Sequence, residues 1–126
     1  MSGILADNTG RASGLVKSGT SAETIKAWIN FNGTGTIAIR GSFNVSSITD
    51  NGTGRYLITF ANDMIDTNYL ATISAYHGSH SNNGVHESNY NQLAGSLEFQ
   101  NGYTSGTGGQ ATATDVSYLM VGIFGD

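Results

Sequence analysis

The chain of 126 residues is long enough to bury one hydrophobic core, so a single domain is expected. Only 11 % of its residues are charged, and a net charge of −4 with five scattered basic residues provides no patch that could neutralise a row of phosphates. Nucleic acid is therefore not an expected partner. The lack of cysteine excludes a disulfide framework and a thiolate zinc site, and 18 glycines without proline leave the turns to glycine and asparagine.

The first 22 residues carry too few apolar side chains to form a core of their own. Four apolar anchors stand among Gly, Ser, Thr and Asn: Ile4, Leu5, Leu15 and Val16. Because ordering such a segment costs entropy that only contacts can offset, we predict an extended attachment arm over 1–22 that docks on an assembly. A frayed tail is the alternative. No signal peptide and no membrane span are expected, since no suitable apolar run occurs.

Apolar and polar side chains alternate with a period of two along much of 23–126, which predicts the second unit as an all-β domain. No window shows the apolar spacing and capped start of a helix. Strands are predicted at 24–32, 37–43, 45–48, 56–60, 69–76, 93–99 and 116–124. The pattern predicts an antiparallel β-sandwich or a small barrel of roughly seven or eight strands.

The motif NGTG occurs twice, at 32–35 and at 51–54, each time after an alternating segment. Asparagine and glycine tolerate positive φ, so Asn32-Gly33 and Asn51-Gly52 are predicted to form the tight turns of two hairpins. In the strand that follows the first turn, Ile37, Ile39, Gly41 and Phe43 are predicted to share one apolar face. Two stretches without alternation, 77–91 and 101–113, are predicted to be irregular.

The segment KAWINFNGTGTIAIRGSFNVSSITDNGTGRYLITF at 26–60 resembles the C-terminal domain of tail-fibre-like proteins of bacteriophages, especially those of marine and cyanobacterial phages. Met64, Asn68-Tyr69 and the terminal VGIFG at 121–125 extend the resemblance, and SGILADNTGRASGLVK near the N-terminus is similar to the start of small phage structural proteins, with Met1 as the expected native start.

The resemblance implies a virion component that forms a homotrimer, contacts other virion proteins through the N-terminal arm and binds a host cell-surface glycan. The composition is compatible with it, because a chain of low charge and many small residues lets copies approach closely, and closed symmetry hides sheet edges. The alternative is a capsid decoration or head-fibre protein that braces the shell. Its support is the short chain, which lacks the long shaft of many tail fibres.

The segment YHGSHSNNGVHESNY at 76–90 contains all three histidines and is predicted to be a recognition loop. Tyrosine offers a flat apolar face with a hydroxyl, and asparagine offers a paired donor and acceptor, as sugars require. The predicted glycan-binding residues are Tyr76, His77, His80, Asn82, Asn83, His86, Tyr90 and Tyr103. An ordinary polar loop, or a metal held by histidines on a symmetry axis, are the alternatives.

No catalytic arrangement is evident, so the chain is predicted not to be an enzyme and to need no cofactor. The closest carboxylates, Asp63 and Asp66, follow the strand at 56–60, where Asp is expected for the backbone of a turn. With Asn62 and Asn68 they could hold calcium, although the loop does not match an EF-hand. A glycan-degrading enzyme that uses Asp63 and Asp66 is the third functional hypothesis.

Trp28 is the single tryptophan and falls on the polar face of its alternating strand. Tryptophan is commonly buried over most of its surface. We therefore predict that Trp28 contacts a neighbouring subunit, in preference to acting as a ligand platform.

Overall fold

The computed structural model describes residues 24–76, 85–104 and 111–125, with only the backbone described for 85–90. This part of the chain is entirely β and holds nine strands and no helix, hence no helix able to cross a membrane. The predicted arm at 1–22 lies outside the described residues. The strands are β1 (Ile25–Asn32), β2 (Ala38–Phe43), β3 (Val45–Gly52), β4 (Arg55–Phe60), β5 (Leu70–Tyr76), β6 (Val85–Leu93), β7 (Ser96–Thr104), β8 (Ala111–Ala113) and β9 (Tyr118–Phe124).

The strands form two antiparallel sheets, as expected for a sandwich. Sheet A has four strands in the order β2-β1-β9-β5, and sheet B has the order β3-β4-β7-β6 with β8 paired to β7. The strand next to the first one, β9, comes from the far end of the chain, and Ile29 lies opposite Val121 in that pairing. The sandwich prediction is confirmed.

The core lies between the sheets and follows from the alternation. Every second residue of β1, β4, β7 and β9 is buried, so these central strands each present one apolar face inward. Three aromatic rings from both sheets meet in the centre, where Phe31 lies 5.1 Å from Tyr56 and 6.5 Å from Phe99 between ring centroids. Both contacts are edge-to-face, an arrangement that adds to the stabilisation from burial.

A single residue, Asn44, carries the chain from sheet A to sheet B. Its φ is +57°, a conformation that asparagine tolerates better than most residues. The side chain fixes this corner because its amide donates to the Lys26 and Asn62 carbonyl oxygens, each at 3.0 Å, and its oxygen accepts from the Asn62 backbone at 2.7 Å. The outermost strands β2 and β3 are thereby held in different sheets.

Both NGTG segments connect paired antiparallel strands, but their bends differ from those predicted. In the first, the positive φ falls on Gly35 (+59°) and not on Asn32 or Gly33, and the connection between β1 and β2 spans 33–37. In the second, Asn51 and Gly52 still belong to β3, and the chain reverses at Thr53-Gly54. The cause is tertiary, since the backbone of Gly54 is fixed against β7 through a 2.7 Å hydrogen bond from Asn101.

The prediction that Ile37, Ile39, Gly41 and Phe43 share one face is wrong. Asn30 and Phe31 are consecutive in β1, but the residues opposite them in β2, Gly41 and Ile39, are two positions apart. Arg40, which lies between those two, is therefore an extra residue in β2. Such a bulge moves the residues on its two sides to opposite faces of the sheet. Phe43 therefore lies on the outer face beside Trp28, its partner in the register.

The prediction of irregular structure at 77–91 and 101–113 is wrong in part. From Val85 onward the first stretch belongs to β6, which pairs with β7 over its whole length. In the second stretch, residues 101–104 continue β7, and β8 pairs with them. Because β6 and β8 add to the seven strands that were predicted individually, the described residues form nine strands. Residues 77–84 and 105–110 lie outside the described part of the chain.

Two glycines of the NGTG segments provide a matched test of this fold. An added Cβ at Gly54, where φ is +69°, would lie against the Asn101 carbonyl oxygen and 2.7 Å from the Thr114 nitrogen, whereas at Gly35, with φ +59°, it would meet no atom within 4 Å. We expect Gly54→Ala to lower the free energy of unfolding by about 3 to 5 kcal/mol and Gly35→Ala by about 1 to 2 kcal/mol in urea titrations. Equal losses would contradict the close packing of Gly54.

Candidate functional site

One end of the sandwich, here called the loop end, gathers several connections between strands. The backbone of Gly33 donates to the Val116 carbonyl at 2.9 Å, and that of Gly54 donates to the Asp115 carboxylate at 2.7 Å. The connections at 33–37, 53–54 and 114–117 are therefore in contact. Strands β5 and β7 also end here, since Tyr76 is paired with Tyr118 and Thr104 with Ala111.

The buried side chain of Tyr56 ties these connections to the core. Its hydroxyl lies 2.7 Å from the Asp115 carboxylate and 2.9 Å from the Gly33 carbonyl oxygen, so two acceptors face one hydroxyl proton. Burial is the main cause that raises the Tyr56 pKa far above its ordinary value, and the hydrogen bond to Asp115 and its negative charge raise it further. The hydroxyl therefore stays protonated and donates.

The ring of Tyr56 also explains why the first NGTG segment needs its glycine at position 33. An added Cβ on Gly33 would collide with the Tyr56 hydroxyl and lie 2.8 Å from the ring carbon that bears it. Glycine lets the backbone come close enough for its carbonyl oxygen to accept the hydroxyl proton. The two NGTG segments are thus joined through Tyr56 and Asp115 at one end of the molecule.

A second buried polar residue, Asn101, supports the loop end from sheet B. Its side-chain amide donates to the Thr114 carbonyl at 2.7 Å, and its backbone oxygen accepts from the Thr114 nitrogen at 3.0 Å. The residue is fully buried, and buried amides need such partners. Sequence reasoning missed Asn101. Its only signal is a polar residue that continues the inward alternation of Leu97 and Phe99.

The residues predicted to bind a glycan are distributed over both sheets. Tyr76 ends β5 in sheet A, and Tyr103 is half-buried in β7 of sheet B. His86 and Tyr90 lie in β6, which corrects their assignment to an irregular loop, although their side chains are not described. The other predicted residues lie outside the described part of the chain: His77, His80, Asn82 and Asn83.

Three side chains on the outer face of sheet A form an aromatic–arginine cluster at the loop end. The cluster consists of Arg40, Tyr76 and Tyr118. The Arg40 guanidinium carbon lies 3.9 Å from the centre of the Tyr118 ring, and the two tyrosine rings meet edge-to-face at 6.3 Å. Tyr76 is 61 % exposed and Tyr118 is 44 % exposed. The cluster therefore offers solvent a cation that lies over one exposed aromatic ring, with a second exposed ring beside that one.

The sequence predicted only Tyr76 of this cluster. Arg40 is brought over Tyr118 because it is the extra residue of the β2 bulge, which no local pattern marks. Tyr118 carried a usable signal, since it alternates with the buried Leu119 and Val121 and therefore must lie on the outer face. Strand order then brings the three residues together from distant parts of the chain.

The other half of this face, away from the loop end, is apolar. Trp28 is 39 % exposed and lies opposite Phe43, which is 52 % exposed, while Leu70 lies opposite Phe124. The indole ring covers Gly41, where an added Cβ would lie 3.1 Å from it. A groove of about 370 Å³ runs beside the indole. Its lining comprises Trp28, Ile29, Asn30, Thr72, Ile73, Ser74, Met120, Val121 and Gly122. We call Trp28, Phe43, Leu70 and Phe124 the apolar half.

Asp63 and Asp66 lie in the connection between β4 and β5. Asp66 accepts a hydrogen bond from the Asn68 nitrogen at 2.8 Å, which is the turn role predicted for it. Asp63 packs against Gly95 at the start of β7. Within the described ranges no three histidine, aspartate or glutamate residues lie together as metal ligands would.

Comparison of the chain with protein-family models, with curated proteins and with solved structures found no match. The loop end and the outer face of sheet A are therefore interpreted from their own geometry.

The raised pKa of Tyr56 predicts a specific loss of stability at alkaline pH. Unfolded tyrosine ionises near pH 10, whereas folded Tyr56 retains its proton above that pH. Its stabilisation is complete below pH 10 and falls by about 1.4 kcal/mol per pH unit above it. Tyr56→Phe should remove this part of the slope of unfolding free energy between pH 10 and 12, measured by urea titration.

A second buried tyrosine serves as the control for that measurement. Burial raises the pKa of Tyr69 to about 12, and its hydroxyl donates toward the Leu93 carbonyl at 2.9 Å. Tyr69→Phe should reduce the slope by a similar amount up to about pH 12, where the folded residue itself ionises. A Tyr56→Phe protein with an unchanged slope would show that Tyr56 ionises equally in the folded and unfolded states.

Proposed function

We propose that the protein is a bacteriophage virion component, a trimeric tail-fibre or tail-tip module that binds a host surface glycan without a catalytic step. The observation that carries this proposal is the difference between the two ends of the sandwich. Thr24 and Gly125 are hydrogen-bonded at 3.3 Å at the end away from Tyr76, whereas the NGTG connections and the start of the histidine-containing segment occupy the loop end. An attachment module needs such an arrangement, with docking at one end and recognition at the other.

The preceding residues 1–22 attach the module to other virion proteins. They precede Thr24, which lies at the end of the sandwich away from the loop end, so an arm that docks there leaves the loop end exposed to the host. Ile4, Leu5, Leu15 and Val16 supply the apolar anchors for docking. The sequence resemblance to phage tail-fibre domains over 26–60 supports the same placement.

Trimer formation uses the apolar half of the outer face of sheet A. Trp28 and Phe43 are large, neighbouring and exposed in a single chain, and contact with a second subunit removes their surface from water. The neighbouring strand β2 is a sheet edge, which subunit contact also protects. Each trimer then presents three loop ends, and linked sites raise the strength of weak contacts with a repetitive glycan.

The experiment compares the purified chain with Trp28→Lys and Thr49→Lys in sedimentation equilibrium and in binding to cells of a phage-sensitive host. Thr49 is the control because it is exposed in β3 of sheet B. Thr49→Lys therefore adds the same charge as Trp28→Lys, but away from the apolar half. We expect the unchanged chain and Thr49→Lys to sediment as trimers and to bind cells. Trp28→Lys should sediment as a monomer and bind about 100-fold more weakly, since multivalency is lost.

Two results would contradict the proposal. A monomeric unchanged chain at micromolar concentration would exclude assembly through the apolar half. Binding to isolated phage capsids and not to cells would assign the protein to the bracing of the shell. Thermal unfolding of each variant shows whether the fold has survived the substitution.

A further inference from the structure

We infer that the aromatic–arginine cluster of Arg40, Tyr76 and Tyr118 is a binding site for an acidic sugar, one that carries a carboxylate. This inference rests on the proposed function, because it names the class of glycan that the module recognises. It also moves recognition beyond the loops, to the outer face of sheet A beside them.

The first argument is charge. The outer face of sheet A carries Arg40 over Tyr118, whereas the carboxylates whose side chains are described lie on sheet B or in connections between strands: Asp50, Asp63, Asp66, Glu98 and Asp115. Glu98 pairs with Arg55 on sheet B, and none of these five carboxylates lies within 4.0 Å of Arg40. A chain with a net charge of −4 thus presents a face of opposite sign, which favours an anionic ligand.

The second argument is the way in which neighbouring side chains hold Arg40. The Arg40 guanidinium carbon lies 3.9 Å from the centre of the Tyr118 ring, and one terminal nitrogen donates to the Asn30 side-chain oxygen at 3.5 Å. A guanidinium has five N–H donors, so these two contacts leave donors for a ligand. An arginine held in this way can donate two parallel hydrogen bonds to one carboxylate with little further loss of freedom.

The third argument is the shape of the aromatic surface. The rings of Tyr76 and Tyr118 stand at 89° to each other, and both are exposed. The apolar face of a sugar ring can pack on one of them while its hydroxyl groups reach the phenolic oxygens and the Ser74 hydroxyl, which lies on the same outer face. A polyglutamate chain would satisfy Arg40 but has no ring that could pack on the tyrosines.

The cluster is separate from the proposed subunit contact. Trp28 lies opposite Gly122 in the register, and Tyr118 lies four residues further along β9. At ~3.3 Å per residue this places Tyr118, and Tyr76 paired with it, about 13 Å from the level of Trp28. A trimer that covers the apolar half therefore leaves both tyrosines, and the Arg40 guanidinium that lies over Tyr118, accessible at the loop end.

The test measures binding of hyaluronan tetrasaccharide, whose glucuronate residues carry carboxylates, by isothermal titration calorimetry on the full-length chain. The matched ligand is the same tetrasaccharide with its carboxylates reduced to hydroxymethyl groups. The variants are Arg40→Gln, Tyr118→Leu and the control Lys26→Gln, which removes an equal charge from the other end of sheet A. Thermal unfolding confirms that each variant is folded.

We expect the acidic tetrasaccharide to bind at least tenfold more tightly than the reduced one. Arg40→Gln should abolish this preference, Tyr118→Leu should reduce it, and Lys26→Gln should change it less than threefold. Equal binding of the two ligands, equal losses in Arg40→Gln and Lys26→Gln, or tighter binding of polyglutamate than of the tetrasaccharide would each overturn the site. If the backbone NMR shifts of Arg40 and Tyr118 change when the protein is diluted and do not change when sugar is added, the face contacts a second copy of the chain. That result would also overturn the acidic-sugar site.

The outcome is distinguishable from failure of the proposed function. If trimers bind host cells and Arg40→Gln trimers bind them equally well, with no competition by the acidic tetrasaccharide, the module is an attachment protein and the acidic-sugar site is wrong. If the unchanged chain binds neither cells nor tetrasaccharide, both proposals fail.

Discussion

The structure depends on the burial of one hydroxyl group. Tyr56 extends from the centre of the core to the loop end, and its hydroxyl can be buried there only because acceptors are provided by Gly33 and Asp115. Gly33 belongs to the connection between strands of sheet A, whereas Tyr56 belongs to sheet B. A single side chain therefore fixes the distance between the two sheets at the end where the connections meet.

The contacts of the Tyr56 hydroxyl make the loop end rigid. The described residues achieve this without a disulfide, a proline or a cluster of metal ligands. Asp115 accepts from the Gly54 backbone at 2.7 Å as well as from Tyr56, so the second hairpin is held by the same carboxylate as the first connection. Rigid backbone at this end lowers the entropy that is lost when a ligand binds. The exposed aromatic–arginine cluster is the part of this end that has the chemistry for recognition.

The sequence predicts the first central strand well because the alternation of Ile29 and Phe31 with Asn30 and Asn32 is a local signal. It fails for β6, whose residues VHESNYNQL show no apolar alternation and whose strand depends on pairing with β7. It also misplaces the bends of both NGTG segments. Asparagine and glycine tolerate positive φ, but tertiary contacts such as those of Gly54 decide which residue adopts it.

The candidate site was less predictable than the fold. Tyr76 could be singled out for its residue type, whereas Arg40 looked like a scattered charge until a bulge and the strand order β2-β1-β9-β5 placed it over Tyr118. Asn44, which stands between two predicted strands, proved to be the corner between the sheets. Such roles depend on long-range pairing, which a local pattern does not contain.

Amide hydrogen exchange at Gly33 and Gly54 tests the central claim most directly, namely that Tyr56 and Asp115 make the loop end a rigid part of the core. Both amides are bonded, to the Val116 carbonyl and to the Asp115 carboxylate respectively. The account predicts that they exchange only through global unfolding, with the same free energy as the amides of β1 and β4. Exchange at the rate of an exposed loop, while those strands remain protected, would contradict it.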